Sequence, residues 1–454
     1  MKSVRVEKPG GSVLFETGPH TIRPVTIGGL ATLELVKQIN LENEILWVNK
    51  DSPASKHRYI KYQNRLVLLR PPKRLLPDLY FITEPLLRKA IGGVLKYGLL
   101  PPRRPSDLED ESMASFFRRR TNNHVAKYLV SALVHGVYAG DYERLSMRSC
   151  FLRVLWDMET VGKRLMARPP EEQILISELK KEMGEDLVKK AAESRMYTFL
   201  NGTETLSHRL REKLEHSRVK IRTDSPVQTI SRDGEAIKVR TPLQSHSFSH
   251  VISTIPLSKL FSTLPSLPTD LSKSFPPSVT VGVVNLSYKK DLTLPIQGFG
   301  YLIPKASPEE NPEDALGVII VPDALRRQDI GKYEGAIKLT VMLGGHYWRD
   351  RKSYPSVDEL LLAAKSVVAR DLGITVEPVV NLVSLQRDCI TQYEVGHWER
   401  IQKLEQYLES TFGTERFKIV GSAVDGIGLT DCVLSARKTA KWLQELVWAE
   451  DLFE

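Results

Sequence analysis

The amino-acid sequence predicts a chain of mixed α/β and α+β class, and three observations carry that expectation. Residues 419–432 read Ile-Val-Gly-Ser-Ala-Val-Asp-Gly-Ile-Gly-Leu-Thr-Asp-Cys, an apolar strand, a glycine-rich turn and the start of a helix. Residues 279–288, 316–321 and 337–343 alternate or run apolar, as strands of a large sheet do. Residues 86–100 are helical in pattern and mostly apolar, with Arg88, Lys89 and Lys96 set among leucines.

The elements follow in order. Residues 13–16 form a short strand that runs into Thr17-Gly18-Pro19-His20-Thr21-Ile22-Arg23-Pro24, a turn-rich loop, and a Gly28-Gly29 break. Leu30, Leu33 and Val36 recur at helical spacing through 30–39, and 59–69 reads as one or two strands ended by the prolines at 71 and 72. Thr83 is a candidate cap for the helix over 86–100, with Pro85 in its first turn. That helix suits either a membrane interface or a domain surface. Residues 110–140 read as two helices opened by Ser112 and closed by Gly136 and Gly140, and 171–193 as one charged, solvated helix. Beyond it come a helix from 202 to 215 and short strands at 219–222, 227–230, 237–240 and 250–254. The Ser- and Pro-rich stretch 258–277 reads as a loop.

Composition bounds the function. The 454 residues carry a net charge of +9 and 41% hydrophobic residues, ordinary for a folded chain of two or three domains. Arg118-Arg119-Arg120 has no interleaved aromatic platform, so nucleic acid is not an expected partner. Cys150, Cys389 and Cys432 are too far apart in sequence for a zinc or disulfide pattern, and His346 has no second ligand at useful spacing. No run of about 20 apolar residues offers a membrane-spanning helix. The N-terminus enters strand-like sequence within a few residues, so no presequence is expected.

Three groups of residues carry candidate chemistry. Gly421, Ser422, Ala423, Gly426 and Gly428 let a backbone approach a ligand closely, and Thr430 or Asp431 can cap the helix that follows. The free N–H groups of that helix end suit a pyrophosphate or the electron-rich edge of a ring, and a plain strand-turn-helix crossover needs none of this. Arg23 can clamp a carboxylate or phosphate, or pair with an acidic neighbour; His20 is a general base or an ordinary histidine. Tyr393, His397 and Trp398 can line a flat pocket or simply pack.

These residues bring a resemblance with them. The stretches 15–24, 111–120, Gly136-Val137-Tyr138-Ala139-Gly140-Asp141, 202–206, 254–256, 392–397, 428–432 and Ser435-Ala436-Arg437 resemble the protoporphyrinogen oxidases, particularly mitochondrial fungal forms, within the flavin amine oxidase-like superfamily. The resemblance implies an FAD-binding Rossmann-like domain, a mixed-sheet substrate domain and a helical membrane-binding domain. The division it implies is 1–70 for the start of the FAD and substrate domains and 71–165 for the helical domain and substrate channel. The FAD domain returns over 166–256 and 406–454, on either side of the substrate domain at 257–405.

It further implies FAD-dependent oxidation of protoporphyrinogen IX by oxygen in haem biosynthesis, with release of hydrogen peroxide. Flavin contact falls by resemblance on Gly428, Leu429, Thr430 and Asp431, with Val227 near the adenine. Arg23, His20 and the 75–140 region would face the substrate. Monotopic association with the mitochondrial inner membrane, on its intermembrane-space side, and a homodimer also follow from the resemblance alone. The family's opening strand, G-x-G-x-x-G turn and helix have no counterpart here, so these 454 residues are expected to hold FAD poorly. A flavin amine oxidase and a non-catalytic porphyrin-binding protein on the same fold are the competing readings.

Overall fold

A computed structural model describes residues 1–69, 79–99, 101, 103–162 and 169–451. At its centre is a seven-stranded sheet, built from β4 (Arg58–Tyr62), β5 (Arg65–Leu69), β11 (Val279–Tyr288), β12 (Gly300–Leu302), β13 (Ala315–Ile320), β15 (Ile337–Gly344) and β16 (Val380–Ile390). Its order is β16-β11-β15-β13-β12-β4-β5, antiparallel except for the parallel β12–β4 pair. All ten residues of β11 are buried, which is why its sequence runs apolar on both faces instead of alternating. Helix α13 (Val357–Leu372) covers one face through Leu360, Ala364, Val367 and Val368. It is framed by a Ser356/Glu359 capping box and by Gly373, which ends it in the left-handed region.

Two small sheets attach the N-terminal region: β1 (Ser3–Lys8), β2 (Gly11–Glu16) and β14 (Ile330–Gly331) in one, β3 (Ile45–Asn49) with β6 (Ser194–Phe199) in the other. A second core joins α1 (Ile27–Gln38), α8 (Pro170–Met183), α9 (Glu185–Glu193) and α15 (Leu429–Asp451) around Leu30, Leu33 and Val36. A helical block holds α3 (Leu79–Thr83), α4 (Pro85–Leu99), α5 (Met113–Arg120), a π-helical stretch at Val125–Val130, α6 (Ser131–Tyr138) and α7 (Arg153–Val161). The remaining unit pairs β10 (Val251–Ser253) in parallel with β17 (Phe417–Ile419), beside the sheet of β7 (Thr229–Asp233), β8 (Ala236–Arg240) and β9 (Ser245–Phe248). Against it lie α11 (Leu257–Thr263), α12 (Thr269–Ser274) and α14 (His397–Phe412). The short helices α2 (Pro53–Lys56) and α10 (Thr205–Glu215) complete the described elements.

Several sequence expectations are corrected. Residues 171–193 form two helices parted at Gly184, and Leu179, Met183, Leu187 and Ala191 are buried against α1, so the stretch is not simply solvated. The high charge sits on the outer face and hid the inner one. The expected loop 258–277 contains α11 and α12. Residues 219–222 form no strand, and the strand expected at 227–230 begins at Thr229. Thr83 ends α3; α4 is instead capped from Glu84, whose Oε1 accepts from Leu86 N–H at 3.4 Å. The Gly28-Gly29 pair lies inside the first turn of α1 rather than breaking the chain, with Thr26 as its cap. The prolines at 71 and 72 and residue Leu100 lie outside the described residues.

Candidate functional site

The loop after β2 is tied to β6 by Ile22, whose N–H donates to Tyr197 O at 2.8 Å while Tyr197 N–H donates to Ile22 O at 2.9 Å. An antiparallel bridge at 22 and 197 sets residues 23–24 opposite 195–196, so Arg23 and Arg195 come to one place from distant parts of the sequence. Arg58, at the head of β4, joins them. It is held by its hydrogen bonds to the carbonyls of Ala54 and His57, and its guanidinium lies 4.8 Å from the Phe299 ring centroid.

The three arginines open into one cavity of about 270 Å³, whose apolar walls include Phe299, Ile319 and Met342, with Gly136 at its edge. A Cβ on Gly136 would stand 2.7 Å from Leu302 Cδ2, so a larger residue here would push the Leu302 side chain aside where α6 meets β12. None of the residues lining the cavity is acidic. Loss of solvent, then mutual repulsion, lowers all that can be resolved of this cluster: Arg58 to about 10, and Arg23 in the same direction beside Arg195.

His20 shares the wall between this cavity and a much smaller one lined by Glu16, Asn285 and Lys338. Burial, helped by the Lys338 charge, pushes its pKa down to about 4, so the ring is neutral at pH 7. Its Nε2 is buried and has no hydrogen-bond partner among the described residues. Behind it lies a buried ionic set. Lys338 Nζ stands 2.9 Å from Asp329 Oδ1 and donates to Leu14 O at 3.0 Å. Glu16 accepts from Thr203 N–H and Oγ1–H, each at 2.8 Å, though burial still raises its pKa.

The glycine-rich turn is a separate centre. Gly421, with φ +101°, donates to Asp425 Oδ2 at 3.2 Å; Gly426 N–H donates to the Tyr393 hydroxyl at 3.0 Å; Gly428 N–H donates to Asp431 Oδ2 at 3.2 Å. Asp431 therefore does not sit at the cap position. It reaches back from the third helical residue to cap Gly428, and Thr430 is the second helical residue. The N–H groups of Leu429 and Thr430 have no partner among the described residues. Helix α1 abuts this point: a Cβ on Gly28 would lie 2.5 Å from Thr430 O, and Arg437 pairs with Glu34 at 2.6 Å.

Sequence reading and structure thus agree unevenly on the candidate residues. His20 and Arg23 come together in the cavity, and Gly428, Leu429, Thr430 and Asp431 together head α15. Val227 lies outside any element, ahead of β7, and lines no described cavity. Of the two readings of 393–398, pocket lining or plain packing, the contacts favour packing: Tyr393 and His397 stack at 4.1 Å, and the Tyr393 hydroxyl donates to Ser422 O, holding the glycine turn from below. His346 does meet a histidine, with its Nε2 2.8 Å from His135 Nε2, but no group of three metal-ligating side chains occurs among the described residues. Arg58, Arg195, Phe299 and Met342 were not legible as site residues, because each is isolated in sequence and only sheet pairing assembles them.

The flavin containing amine oxidoreductase family matches residues 1–443. The chain is 31% identical to protoporphyrinogen oxidase of Schizosaccharomyces pombe over 98% of its own length and 91% of that protein. It is 32% identical to the human protoporphyrinogen oxidase over 96% of this chain and 88% of that one. Among solved structures, a putative protoporphyrinogen oxidase from Exiguobacterium superposes with a TM-score of 0.69 at 20% identity, covering 97% of this chain and 90% of the other. Cyclohexylamine oxidase from Brevibacterium oxydans gives 0.61 at 14% identity, covering 98% and 90%.

Proposed function

The chain belongs to the flavin containing amine oxidoreductases and, within them, to the protoporphyrinogen oxidases, and from that premise we propose that its arginine-lined cavity receives the carboxylate side chains of protoporphyrinogen IX. The reaction is oxidation of protoporphyrinogen IX by three molecules of oxygen to protoporphyrin IX and three of hydrogen peroxide, within haem biosynthesis. The observation that carries this reading is the cavity itself, which sets three guanidiniums beside flat apolar walls and includes no acidic residue. An amine oxidase reading fits it badly, since a protonated amine would enter against that charge.

FAD is the family's cofactor, and the residues at the head of α15 fit the ring end of it. Leu429 and Thr430 offer unpaired N–H groups at a helix N-terminus, which suit the electron-rich edge of a ring. No second strand, glycine turn and helix able to cradle its diphosphate occurs among the described residues. When bound, FAD supplies the two-electron acceptor for a substrate that has no redox partner in the protein. The chain's own part is to hold carboxylates at Arg23 and Arg58, to seat an apolar ring on Phe299 and Met342, and to keep His20 neutral at the wall. A neutral His20 with a free Nε2 can share a hydrogen bond with the substrate without adding charge to the arginine cluster.

The proposal extends to location. α4 leaves Val94, Leu95 and Leu99 exposed beside Lys89 and Lys96, and α7 exposes Val154 and Val161. Such a surface suits one-sided insertion into an anionic membrane, and no helix among the described residues is long and apolar enough to cross one. The helical block as a membrane-binding domain, the inner mitochondrial membrane facing the intermembrane space, and a homodimer are proposed on the resemblance. Val227 as an adenine contact stands on the same footing.

The test is oxidation of protoporphyrinogen by the purified chain supplied with FAD, followed as porphyrin fluorescence with peroxide measured alongside. Growth of both signals at a 1:3 ratio is the expected result. Porphyrin binding with no oxygen consumed would replace the enzyme by a porphyrin-binding protein.

A further inference from the structure

Three guanidiniums facing one cavity without a counter-charge is an arrangement that folding alone does not favour, because each disfavours the charge on the others. Arg58 bonds only to carbonyls, and neither Arg23 nor Arg195 makes a hydrogen bond or ion pair among the described residues. Arg195 is the least explained of the three. It stands on β6 between buried Ser194 and buried Met196, the one exposed and the one charged residue of that strand, and its side chain is left at the cavity. One guanidinium takes one carboxylate in two-pronged fashion, and Arg58 already gives its Nη1 to two carbonyls, so Arg23 and Arg195 are the pair left free to take one acid each.

Resting on the porphyrinogen reading above, we infer that Arg195 is a specificity-determining residue that, with Arg23 and Arg58, receives two carboxylates from one edge of the tetrapyrrole. The substrate then enters with its carboxylate-bearing edge first. The cavity's size agrees: about 270 Å³ lies just below the range of pockets that enclose a whole drug-sized ligand, and it admits an edge of a macrocycle rather than all of it. Phe299 and Met342 flank the ring that carries the acids, while the rest of the macrocycle remains toward the mouth.

The experiment compares protoporphyrin IX with its dimethyl ester, bound to the wild-type chain and to Arg195→Met, by fluorescence titration without turnover. The wild type should prefer the diacid over the diester by at least about tenfold, and Arg195→Met should weaken the diacid by about tenfold, the loss of one charge-assisted pair. Diester affinity should be unchanged, which also reports that the variant is folded. In turnover the same variant should raise KM with kcat nearly unchanged, as loss of uniform binding does, and Arg195→Lys should recover part of the diacid preference. Equal diacid affinity in the wild type and Arg195→Met overturns the inference, as does a wild type that oxidises porphyrinogen yet binds diacid and diester alike. Porphyrinogen left unoxidised by a chain that still prefers the diacid overturns the functional reading instead, and leaves the two-carboxylate site supported.

Discussion

Acidification should destabilise this protein before most of its carboxylates are protonated, because three histidines are buried and a fourth, His346, is half-buried in the neutral state. Burial is the first cause in each case, and the pKa falls to about 4 in His20, His135 and His397 and to about 3 in His346. The hydrogen bonds account for how the rings are held. His135 Nδ1 lies 2.6 Å from Ile303 O and so carries the proton, which leaves its Nε2 to accept from His346; His397 Nε2 lies 3.1 Å from Ala423 O. The unfolded chain, with histidines near 6.5, binds more protons than the folded one once the pH drops below that value. The stability these neutral rings carry is therefore complete above about pH 6.5 and is lost as the pH falls toward 4. At pH 5 the linkage amounts to about 2 kcal/mol per histidine, so the four together remove a large part of the 5–15 kcal/mol typical of a domain. Glu16, Asp110, Asp329 and Asp431, whose pKa values are raised mainly by burial, work in the opposite sense, regaining stability as the pH falls through their raised values. The assay is urea unfolding at pH 7.5, 6 and 5, read by tryptophan fluorescence, with the midpoint expected to fall steeply between 6 and 5. His397→Asn should be less stable at pH 7.5 yet show a slope shallower by about a quarter, one titrating ring in four. A midpoint that stays flat from pH 7.5 to 5 refutes the reasoning.

Three further outcomes follow from particular contacts. Lys338→Met leaves Asp329 buried without its 2.9 Å partner and should cost about 3–5 kcal/mol by denaturant unfolding; adding Asp329→Leu should return much of that loss. Gly28→Ala forces a Cβ to within 2.5 Å of Thr430 O, so α1 must move off the head of α15 at a cost of about 1–3 kcal/mol in thermal unfolding. FAD retained after gel filtration should drop in the same variant. The wild-type chain, with only ring-end contacts described, should itself leave gel filtration with FAD well below one per chain; a stoichiometric flavin spectrum would show that the diphosphate has a cradle.

The large sheet was legible because its strands are long and apolar enough to stand alone as signals: 279–288 matches β11 residue for residue, and 337–343 falls within β15. Helix ends were legible where a side chain caps them, as at Ser112, which accepts from Ser115 N–H at 3.1 Å. The strand expected at 219–222, and the first two residues of the one expected at 227–230, were read from the same alternation that identified real ones, while residues 229–230 do open β7. Val219, Ile221 and Val227 are instead exposed, because alternation fixes a strand only where a neighbouring strand supplies hydrogen bonds. The site divides in the same way. His20 and Arg23 lie in one unusual loop and could be singled out together, whereas Arg195 joins them only through the bridge between Ile22 and Tyr197, and Arg58 only through its place at the head of β4.

That difference also decides what the glycine-rich turn can accept. By sequence it suited either a pyrophosphate or the edge of a ring, since glycines and a helix N-terminus favour both. The structure fills the turn from within: Asp425, Asp431 and the Tyr393 hydroxyl take the N–H groups of Gly421, Gly428 and Gly426. Asp431 matters most, because its carboxylate already occupies the place where the helix end would stabilise an anion. A pyrophosphate arriving there would lose those three donors and meet a like charge, whose own pKa is already raised by burial. A ring edge that asks only for the Leu429 and Thr430 N–H groups meets neither obstacle. The turn therefore suits a ring edge better than a phosphate, and Asp431→Asn is the change that would open it to a phosphate. The variant should gain affinity for inorganic phosphate by isothermal titration while the wild type shows none, and equal binding in the two would remove Asp431 as the determinant.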